Sequence, residues 1–247
     1  MRAWAQTGEG LSDVYLSHRS PHPHRPWVLA NMVAGIDGCT AINGRVGQLS
    51  GPADREMFRR LRQIADVVMV GAETVRAERY GPVKLTGDEV SLRTSRGQQP
   101  VPVTAVISRT LAFDWDIPLF QADHERYRRP LLITSRSADT SALAEARRRA
   151  DVLVAGDDEV DLAAALVQLH HGGVGTVLAE GGARSLGALA AAGLLDELCL
   201  TLAPVMGGDP LPVAVWPQGA NAAAYRLASV GSDDGHLFLR YLQERAA

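Results

Sequence analysis

This sequence of 247 residues contains only two cysteines and has no excess of positive charge. The two cysteines, Cys39 and Cys199, form no CxxC pair or other metal-ligand spacing, which excludes a disulfide framework and indicates a reducing environment. Lysine and arginine number 25 against 28 acidic residues, whereas a dedicated nucleic-acid-binding protein carries a strong basic excess. No apolar run approaches the ~20 residues that span a bilayer, and residues 1–26 contain no apolar signal segment. We therefore expect a cytoplasmic protein without a membrane or nucleic-acid partner.

The common catalytic motifs are missing as well. The sequence contains no GxGxxG, P-loop, HExxH or GxSxG motif, so classical Rossmann binding, P-loop phosphoryl transfer and serine hydrolysis are unsupported. The HxE and PCxxC signature of zinc-dependent deaminases is also absent, which excludes that chemistry on this chain. We predict no metal site.

Apolar segments alternate with helical patterns over most of the chain. Residues 1–26 are predicted to form an irregular N-terminal arm, and 27–247 a single domain. The glycine- and proline-containing stretch 81–100 is predicted to be a long functional or mobile loop. Alternating strands and helices predict an α/β fold with a mainly parallel central sheet, closed by an antiparallel hairpin around 231–235. The predicted strands are 27–33, 67–70, 102–107, 130–134, 151–154, 174–179, 196–203, 224–230 and 236–242, and the predicted helices are 51–65, 74–79, 139–149, 160–171 and 182–193.

Ligands of open α/β sheets bind where strands end and lead into helices. At the first such junction, Gly71 is predicted to turn the backbone sharply and Thr74 to add a hydroxyl at a helix start that favours anions. An ordinary tight turn is an equally good interpretation there. At the second junction, Ser108 and Arg109 offer groups that suit a phosphate, although a solvated strand end explains them as well.

The third junction carries the strongest local signal. The strand at 174–179 leads into Glu180, Gly181 and Gly182, and then into a helix rich in small residues. Two glycines at a strand end allow a pyrophosphate to approach the backbone, and the following helix presents free N–H groups. A glycine turn with a capping glutamate is the structural alternative, but the combination favours a binding function.

Three segments together resemble one family, the reductase domain of bacterial riboflavin biosynthesis. This family is related to dihydrofolate reductase and occurs as the C-terminal half of deaminase-reductases and as stand-alone actinobacterial pyrimidine reductases. The resemblance covers about residues 27–242. Its motifs are Asn31-Met-Val-Ala-Gly-Ile-Asp37-Gly38, then Ser50-Gly-Pro-Ala-Asp-Arg55 with Leu61-Arg62 and 65–78, and finally Ala179-Glu180-Gly-Gly182 with 193–198 and 203–208.

The resemblance implies a dihydrofolate-reductase-like fold, NADPH as hydride donor and a homodimer. It implies a substrate of the ribosylaminopyrimidine 5′-phosphate class, whose ribose becomes a ribityl chain. The implied substrate contacts are Asn31, Arg62 and Glu180. The implied cofactor contacts are Val33, Thr74, Glu78, Ser108 and the run Gly182, Ala183, Arg184, Ser185, Leu186, Gly187 and Ala188. The strand-end junctions described above add Gly71 and Gly181 to the predicted cofactor contacts.

Reduction of the ribose requires a hydride at C1′ and a proton for the departing ring oxygen, so acids near the site are the catalytic candidates. Glu180 is predicted to grip the pyrimidine or the sugar. Asp37 is a second candidate, with a turn-forming role for 35–38 as an equal alternative. Glu78 stands where the family more often has aspartate, and Glu73 where a small residue is common, so Glu73 is expected to oppose cofactor phosphates unless it points away.

Two other functions stay open at this point. Many two-domain members of the family carry lysine where this chain has Asn31 and serine where it has Gly35, which motivates a reductase of the same fold that acts on dihydrofolate or another pterin. A phosphorylated sugar substrate needs a cation such as Arg62 or Lys84, and a pterin does not need it in that role. The other alternative is a non-catalytic nucleotide-binding protein, which the Glu73 departure would fit.

Overall fold

The computed structural model describes residues 19–244, so most of the predicted N-terminal arm, residues 1–18, lies outside the described residues. The described chain forms strands that alternate with helices, as predicted. The strands are β1 (Trp27–Gly35), β2 (Val67–Gly71), β3 (Val103–Ile107), β4 (Leu131–Thr134), β5 (Asp151–Val154), β6 (Thr176–Ala179), β7 (Glu197–Ala203), β8 (Tyr225–Asp233) and β9 (His236–Gln243). The helices are α1 (Pro52–Ile64), α2 (Ala72–Ala77), α3 (Gly87–Ser95), α4 (Thr140–Arg149), α5 (Leu162–His171) and α6 (Ala183–Ala191).

The described residues divide into two compact units. Unit 1 contains residue 19 together with 28–64 and 179–244, and unit 2 contains 20–27 and 65–178. The single-domain interpretation of 27–247 stays a prediction. None of the helices within 19–244 is both long and apolar enough to cross a bilayer.

Unit 2 is built on parallel strands in the order β5-β4-β3-β2-β6. Strands β2 to β5 pair in parallel with their neighbours, and all residues of β2 and β6 are buried. Strands of parallel sheets are covered on both faces, which explains the unbroken apolar runs 67–70 and 177–179 in the sequence. Asp66 fixes the start of this arrangement, because its Oδ2 accepts hydrogen bonds from the backbone N–H groups of Gly175 and Thr176 at 2.9 and 3.0 Å.

Unit 1 contains the strand order β1-β7-β9-β8. β1 and β7 are parallel, while β9 pairs antiparallel with both β7 and β8. The mainly parallel sheet with a closing antiparallel hairpin is therefore confirmed. Strand β8 runs to Asp233, beyond the predicted end, because only Asp234 and Gly235 form the turn, with φ of 45° and 74°. Asp-Gly is the usual sequence of such two-residue hairpin turns.

The prediction of a loop throughout 81–100 is wrong, because α3 occupies its centre. The Thr86 hydroxyl accepts a hydrogen bond from the Glu89 backbone N–H, and the Glu89 carboxylate accepts one from the Thr86 N–H. This reciprocal capping box satisfies two backbone donors and starts the helix. Arg93 then anchors the helix, since its buried guanidinium donates to the carbonyl oxygens of Ala65 and Gln99 at 2.7 and 2.9 Å.

Candidate active site

The centre of the candidate site in unit 1 is an ion pair between Arg62 and Glu180. Arg62 lies in the last turn of α1, and Glu180 follows β6 directly. The guanidinium Nε donates to Oε1 at 2.7 Å and Nη2 donates to Oε2 at 2.6 Å, so the contact is bidentate. Two of the three predicted substrate contacts, which are 118 positions apart, are thus in direct contact.

Burial differs sharply across this pair. The Glu180 side chain is 2% exposed, whereas the Arg62 side chain is 30% exposed. The Arg62 guanidinium also lies 5.9 Å from the centre of the Phe58 ring, one helical turn earlier, which restricts its position further. Taking a carboxylate out of water is costly unless a cation and hydrogen bonds compensate. Arg62 supplies both, so Glu180 is held as an oriented acceptor of hydrogen bonds.

Asp37 lies in the exposed turn after β1 and organises that turn. Its Oδ1 accepts from the Cys39 N–H at 3.1 Å, and its Oδ2 accepts from the Gly207 N–H at 2.7 Å. The hydrogen bond with the Cys39 thiol and those with the Gly207 and Cys39 N–H groups hold the pKa of Asp37 at about 2. A carboxyl with this pKa holds no proton near neutral pH, so the structure favours the turn-forming role that the sequence left open.

The glycine turn after Glu180 has the backbone geometry that only glycine adopts easily. Gly181 and Gly182 have φ of 109° and 85°, and Gly182 precedes α6 without a side-chain cap. The first N–H groups of α6 therefore have no capping side chain, as expected at an anion-binding helix start. Ala183 and Ser185 are partly exposed and Arg184 is exposed, so these three side chains remain accessible.

Two residues near the end of the predicted cofactor run, Leu186 and Gly187, are packed inside unit 1. A Cβ on Gly187 would lie 1.9 Å from the carbonyl oxygen of Val215, whose N–H donates to the Ala183 carbonyl at 2.9 Å. Val33 is likewise part of the apolar core, where it packs with Leu49. Glycine is thus required at 187 by the chain segment that lies on α6.

Replacing Gly187 by alanine is accordingly expected to destabilise the protein by about 1–3 kcal/mol, because the new methyl group overlaps backbone atoms. Gly47→Ala is the matched control, since a Cβ at Gly47 would meet nothing within 4 Å. Thermal unfolding of both variants measures the effect. A Gly187→Ala variant as stable as the control, but with weakened nucleotide binding, would contradict the packing role and support the predicted cofactor contact.

Three predicted cofactor contacts lie together in unit 2. Gly71 ends β2, and its register partner on β3 is Ile107, so Ser108 lies at the same edge of the parallel strands as α2. Thr74 is partly exposed on α2. Ser108 is buried, and its Oγ accepts a hydrogen bond from the Leu111 N–H at 3.0 Å. Gly71 has φ of −78°, an ordinary conformation, so its predicted conformational freedom is not used.

The acidic residues of this edge point to the surface. Glu73 and Glu78 are both exposed, Glu73 in the first turn of α2 and Glu78 as its C-terminal cap. Arg109, which follows Ser108, forms an exposed ion pair of 3.6 Å with Glu159.

Asn31 is the remaining predicted substrate contact, and its environment is unusual. It lies in the middle of β1, is 1% exposed, and neither its Oδ1 nor its Nδ2 has a hydrogen-bond partner. Buried side-chain amides almost always have partners, so this one requires an explanation.

Two features of unit 1 were missed by the sequence analysis. Asp54, in the first turn of α1, is 0% exposed, and one of its carboxylate oxygens has no hydrogen-bond partner. Glu197 at the start of β7 is buried between two guanidinium groups, those of Arg19 and Arg240. An acid in a first helical turn suggests only a favourable interaction with the helix dipole, and no local pattern connects residues 19, 197 and 240.

Comparison with known proteins agrees with the sequence motifs. Residues 26–238 match the family model described as the RibD C-terminal domain. A protein of Archaeoglobus fulgidus named 2,5-diamino-6-ribosylamino-4(3H)-pyrimidinone 5′-phosphate reductase is 31% identical over 76% of this chain and 85% of its own. A protein of the same name from Methanothermobacter thermautotrophicus is 33% identical over 81% of this chain and 88% of its own.

A solved structure shows the same relationship in three dimensions. A pyrimidine reductase-like protein from Corynebacterium diphtheriae superposes with a TM-score of 0.80 and 27% identity, over 90% of this chain and 93% of its own. The resemblance drawn from the three sequence motifs is thereby confirmed. The chain belongs to the RibD C-terminal domain family.

Proposed function

We propose that this protein is an NADPH-dependent reductase that converts 2,5-diamino-6-ribosylamino-4(3H)-pyrimidinone 5′-phosphate into its ribitylamino form. The names of the relatives support the substrate class. The observation that carries the proposal is the buried Glu180 carboxylate, held by Arg62 directly before the Gly181-Gly182 turn. Such an oriented acceptor next to an uncapped helix start suits a polar substrate and an anionic cofactor.

The residues after β6 in unit 1 fit the phosphate groups of a nicotinamide dinucleotide. The backbone of Gly181, Gly182 and Ala183 offers a side-chain-free approach for phosphate groups to the start of α6. Unit 2, taken by itself, has the hydroxyl groups of Thr74, in the first turn of α2, and of Ser108 near the carboxyl ends of parallel strands. When bound, the cofactor supplies the hydride for the ribose C1′.

The protein's own part of the reaction is binding and orientation. Glu180 accepts hydrogen bonds from the substrate, since Arg62 keeps its carboxylate in one orientation. Exclusion of water and correct placement supply much of the rate in such reactions, and no nucleophilic side chain is required. Asp37 stabilises the turn after β1. Its carboxylate accepts a hydrogen bond from the Gly207 N–H and so holds the turn against residue 207.

The experiment is the loss of NADPH absorbance with the pyrimidine phosphate and with dihydrofolate in parallel. We expect oxidation with the pyrimidine alone, and a Glu180→Gln variant is expected to raise its KM or lower kcat at least tenfold, because a neutral amide forms weaker contacts with Arg62 and substrate. Glu145→Gln, a change at a partly exposed position outside the proposed site, is the control. Oxidation of NADPH with dihydrofolate alone would contradict the proposal. No oxidation of NADPH with either compound would favour a nucleotide-binding protein without catalysis.

A homodimer and a cytoplasmic location stay predictions. Large apolar side chains exposed on unit 1 are compatible with a homodimer, and they belong to Ile36, Met206, Leu211, Val215, Trp216, Leu227 and Leu237.

A further inference from the structure

Residues 204–224, which connect β7 to β8, form a long irregular segment of unit 1. Loops of this length are uncommon in compact domains and usually carry a function. The first part of the segment, residues 205–216, forms a strap over unit 1. The strap is bonded to two other parts of this unit, the 36–44 loop that follows β1 and the first turn of α6.

Hydrogen bonds fasten the strap to the 36–44 loop at every second residue of the strap. The bonded residues of the strap are Val205, Gly207, Asp209 and Leu211, and those of the loop are Ile36, Asp37, Thr40, Ala41 and Gly44, with distances of 2.6–3.1 Å. The packing between them is close, because a Cβ at Gly208 would lie 2.4 Å from the Ala41 carbonyl oxygen. The strap therefore follows the loop in one defined register.

Asp209 binds the loop through both its backbone and its side chain. Its N–H donates to the Ala41 carbonyl at 2.8 Å, and its Oδ2 accepts from the Gly44 N–H at 2.6 Å. Asn43 and Gly44 form the tip of the loop, with φ of 52° and 73°. A hydrogen bond to a carboxylate is stronger than one between neutral groups. Asp209 therefore fastens the strap at the tip of the loop, as Asp37 fastens it at the base.

The other end of the strap lies on α6. The Val215 N–H donates to the carbonyl oxygen of Ala183, the first residue of α6, at 2.9 Å. The Val215 carbonyl occupies the space that a Cβ at Gly187 would need. Ala183 directly follows the Gly181-Gly182 turn, so the strap reaches the helix start to which the proposed function assigns the cofactor phosphates.

Much of the strap lies at the surface of unit 1. Four of its large apolar side chains are exposed, and they belong to Met206, Leu211, Val215 and Trp216. A cavity of about 440 Å³ also opens where the strap meets the loop, between residues 37–39 and 208–212. Segments with few buried apolar contacts open at low free-energy cost, so hydrogen bonds largely decide where the strap lies.

We propose that Asp209 is a positioning residue for the cofactor, an inference that rests on the proposed function. By fastening the strap to the 36–44 loop, Asp209 fixes the far end of the strap at Ala183 and thereby the start of α6. Asp209 acts on the cofactor through the strap and not by contact. Coupling between two positions is reciprocal, so a nucleotide bound at α6 stabilises the fastened strap in return. The nucleotide should therefore protect the 36–44 loop only while the strap is fastened.

The affinity for NADPH is the first measurement, from the change in its fluorescence on binding, well below the Tm of every variant. Asp209→Ala is expected to raise Kd about three- to tenfold, the range that changes within a coupled network produce. Asp209→Asn removes the same charge but keeps an oxygen that accepts from the Gly44 N–H, so its Kd should stay within about twofold of the unmodified value. Asp88→Ala, in the exposed first turn of α3, is the control for loss of a surface carboxylate.

Amide hydrogen exchange distinguishes positioning from a merely structural role. NADPH should slow exchange in residues 36–44 of the unmodified protein and of Asp209→Asn, but not of Asp209→Ala. An unchanged Kd in Asp209→Ala, or protection of the loop that persists in this variant, would overturn the inference and leave the proposed function intact. No binding of NADPH by the unmodified protein would overturn both.

Discussion

Replacing Arg62 by methionine is expected to lower the free energy of unfolding by about 2–3 kcal/mol and to abolish most of the proposed reductase activity. The Glu180 side chain is 2% exposed, so without Arg62 its charge would be buried without its bidentate partner. Loss of one partner from a fully buried pair costs about 3–5 kcal/mol, and the lower value reflects the 30% exposure of Arg62. Urea unfolding at neutral pH measures the change.

The double variant Arg62→Met/Glu180→Leu separates the charge from the packing. Removing both charges should recover most of the lost stability, since an apolar pair of similar size is often as stable as an ion pair. Activity should not recover, because the oriented acceptor is gone. Arg59→Met is the control on the same helix; its ion pair with Glu56 is partly exposed, and its loss should cost about 0.5 kcal/mol or less. A single Arg62 variant as stable as this control would show that Glu180 is not held by the pair.

Acidification is expected to remove about 3 kcal/mol of stability through Glu197 alone. Burial raises the pKa of this carboxyl, but Arg19 and Arg240 outweigh burial and lower it to about 2. Both guanidinium groups reach the same carboxylate, at 2.6 and 2.7 Å. Because the folded pKa lies below the unfolded value of about 4.3, the stabilisation is complete above that value and is lost as the pH falls towards 2.

Urea unfolding between pH 5 and pH 2 measures this loss. Glu197→Gln should be less stable by about 3–5 kcal/mol at neutral pH, because the buried Arg19 and the partly buried Arg240 lose their counter-charge. The same variant should show a flatter pH dependence between pH 5 and pH 2. Glu145→Gln, whose carboxylate pairs with exposed arginines, should keep the steep dependence. A Glu197→Gln variant as pH-sensitive as the unmodified protein would contradict the assignment.

Much of the fold follows from local patterns, and the exceptions have local causes too. The strands β2 and β6 could be predicted from their continuous apolar sequence, since strands of a parallel sheet are buried on both faces. The helix α3 was overlooked because glycine, serine and threonine in 81–100 suggested a loop. The signal was nevertheless present, as Thr86 and Glu89 have the spacing of a capping box.

The candidate site was less accessible to sequence reasoning. Glu180 was identified from its glycine neighbours, and Arg62 only from the family resemblance, since nothing local links a helix to a strand end 118 positions away. The local pattern around Asp54 indicates only an acid that interacts favourably with the dipole of a first helical turn. Its burial is decided by the packing of α1 beside Thr201, which becomes visible only in three dimensions.

The division of the chain into two units also determines the order in which they can be completed during synthesis. Most of unit 2 is one continuous stretch, 65–178, whereas unit 1 needs β1 to pair with β7, where Val28 and Asp196 are 168 positions apart. Unit 1 can therefore be completed only after β7 and β9 have emerged from the ribosome. At about 5–20 residues per second, this happens several seconds after β1 has been made. During this interval the edge of β1 that later pairs with β7 is open, so the nascent chain is most exposed to aggregation, and most in need of a chaperone, until β7 has emerged.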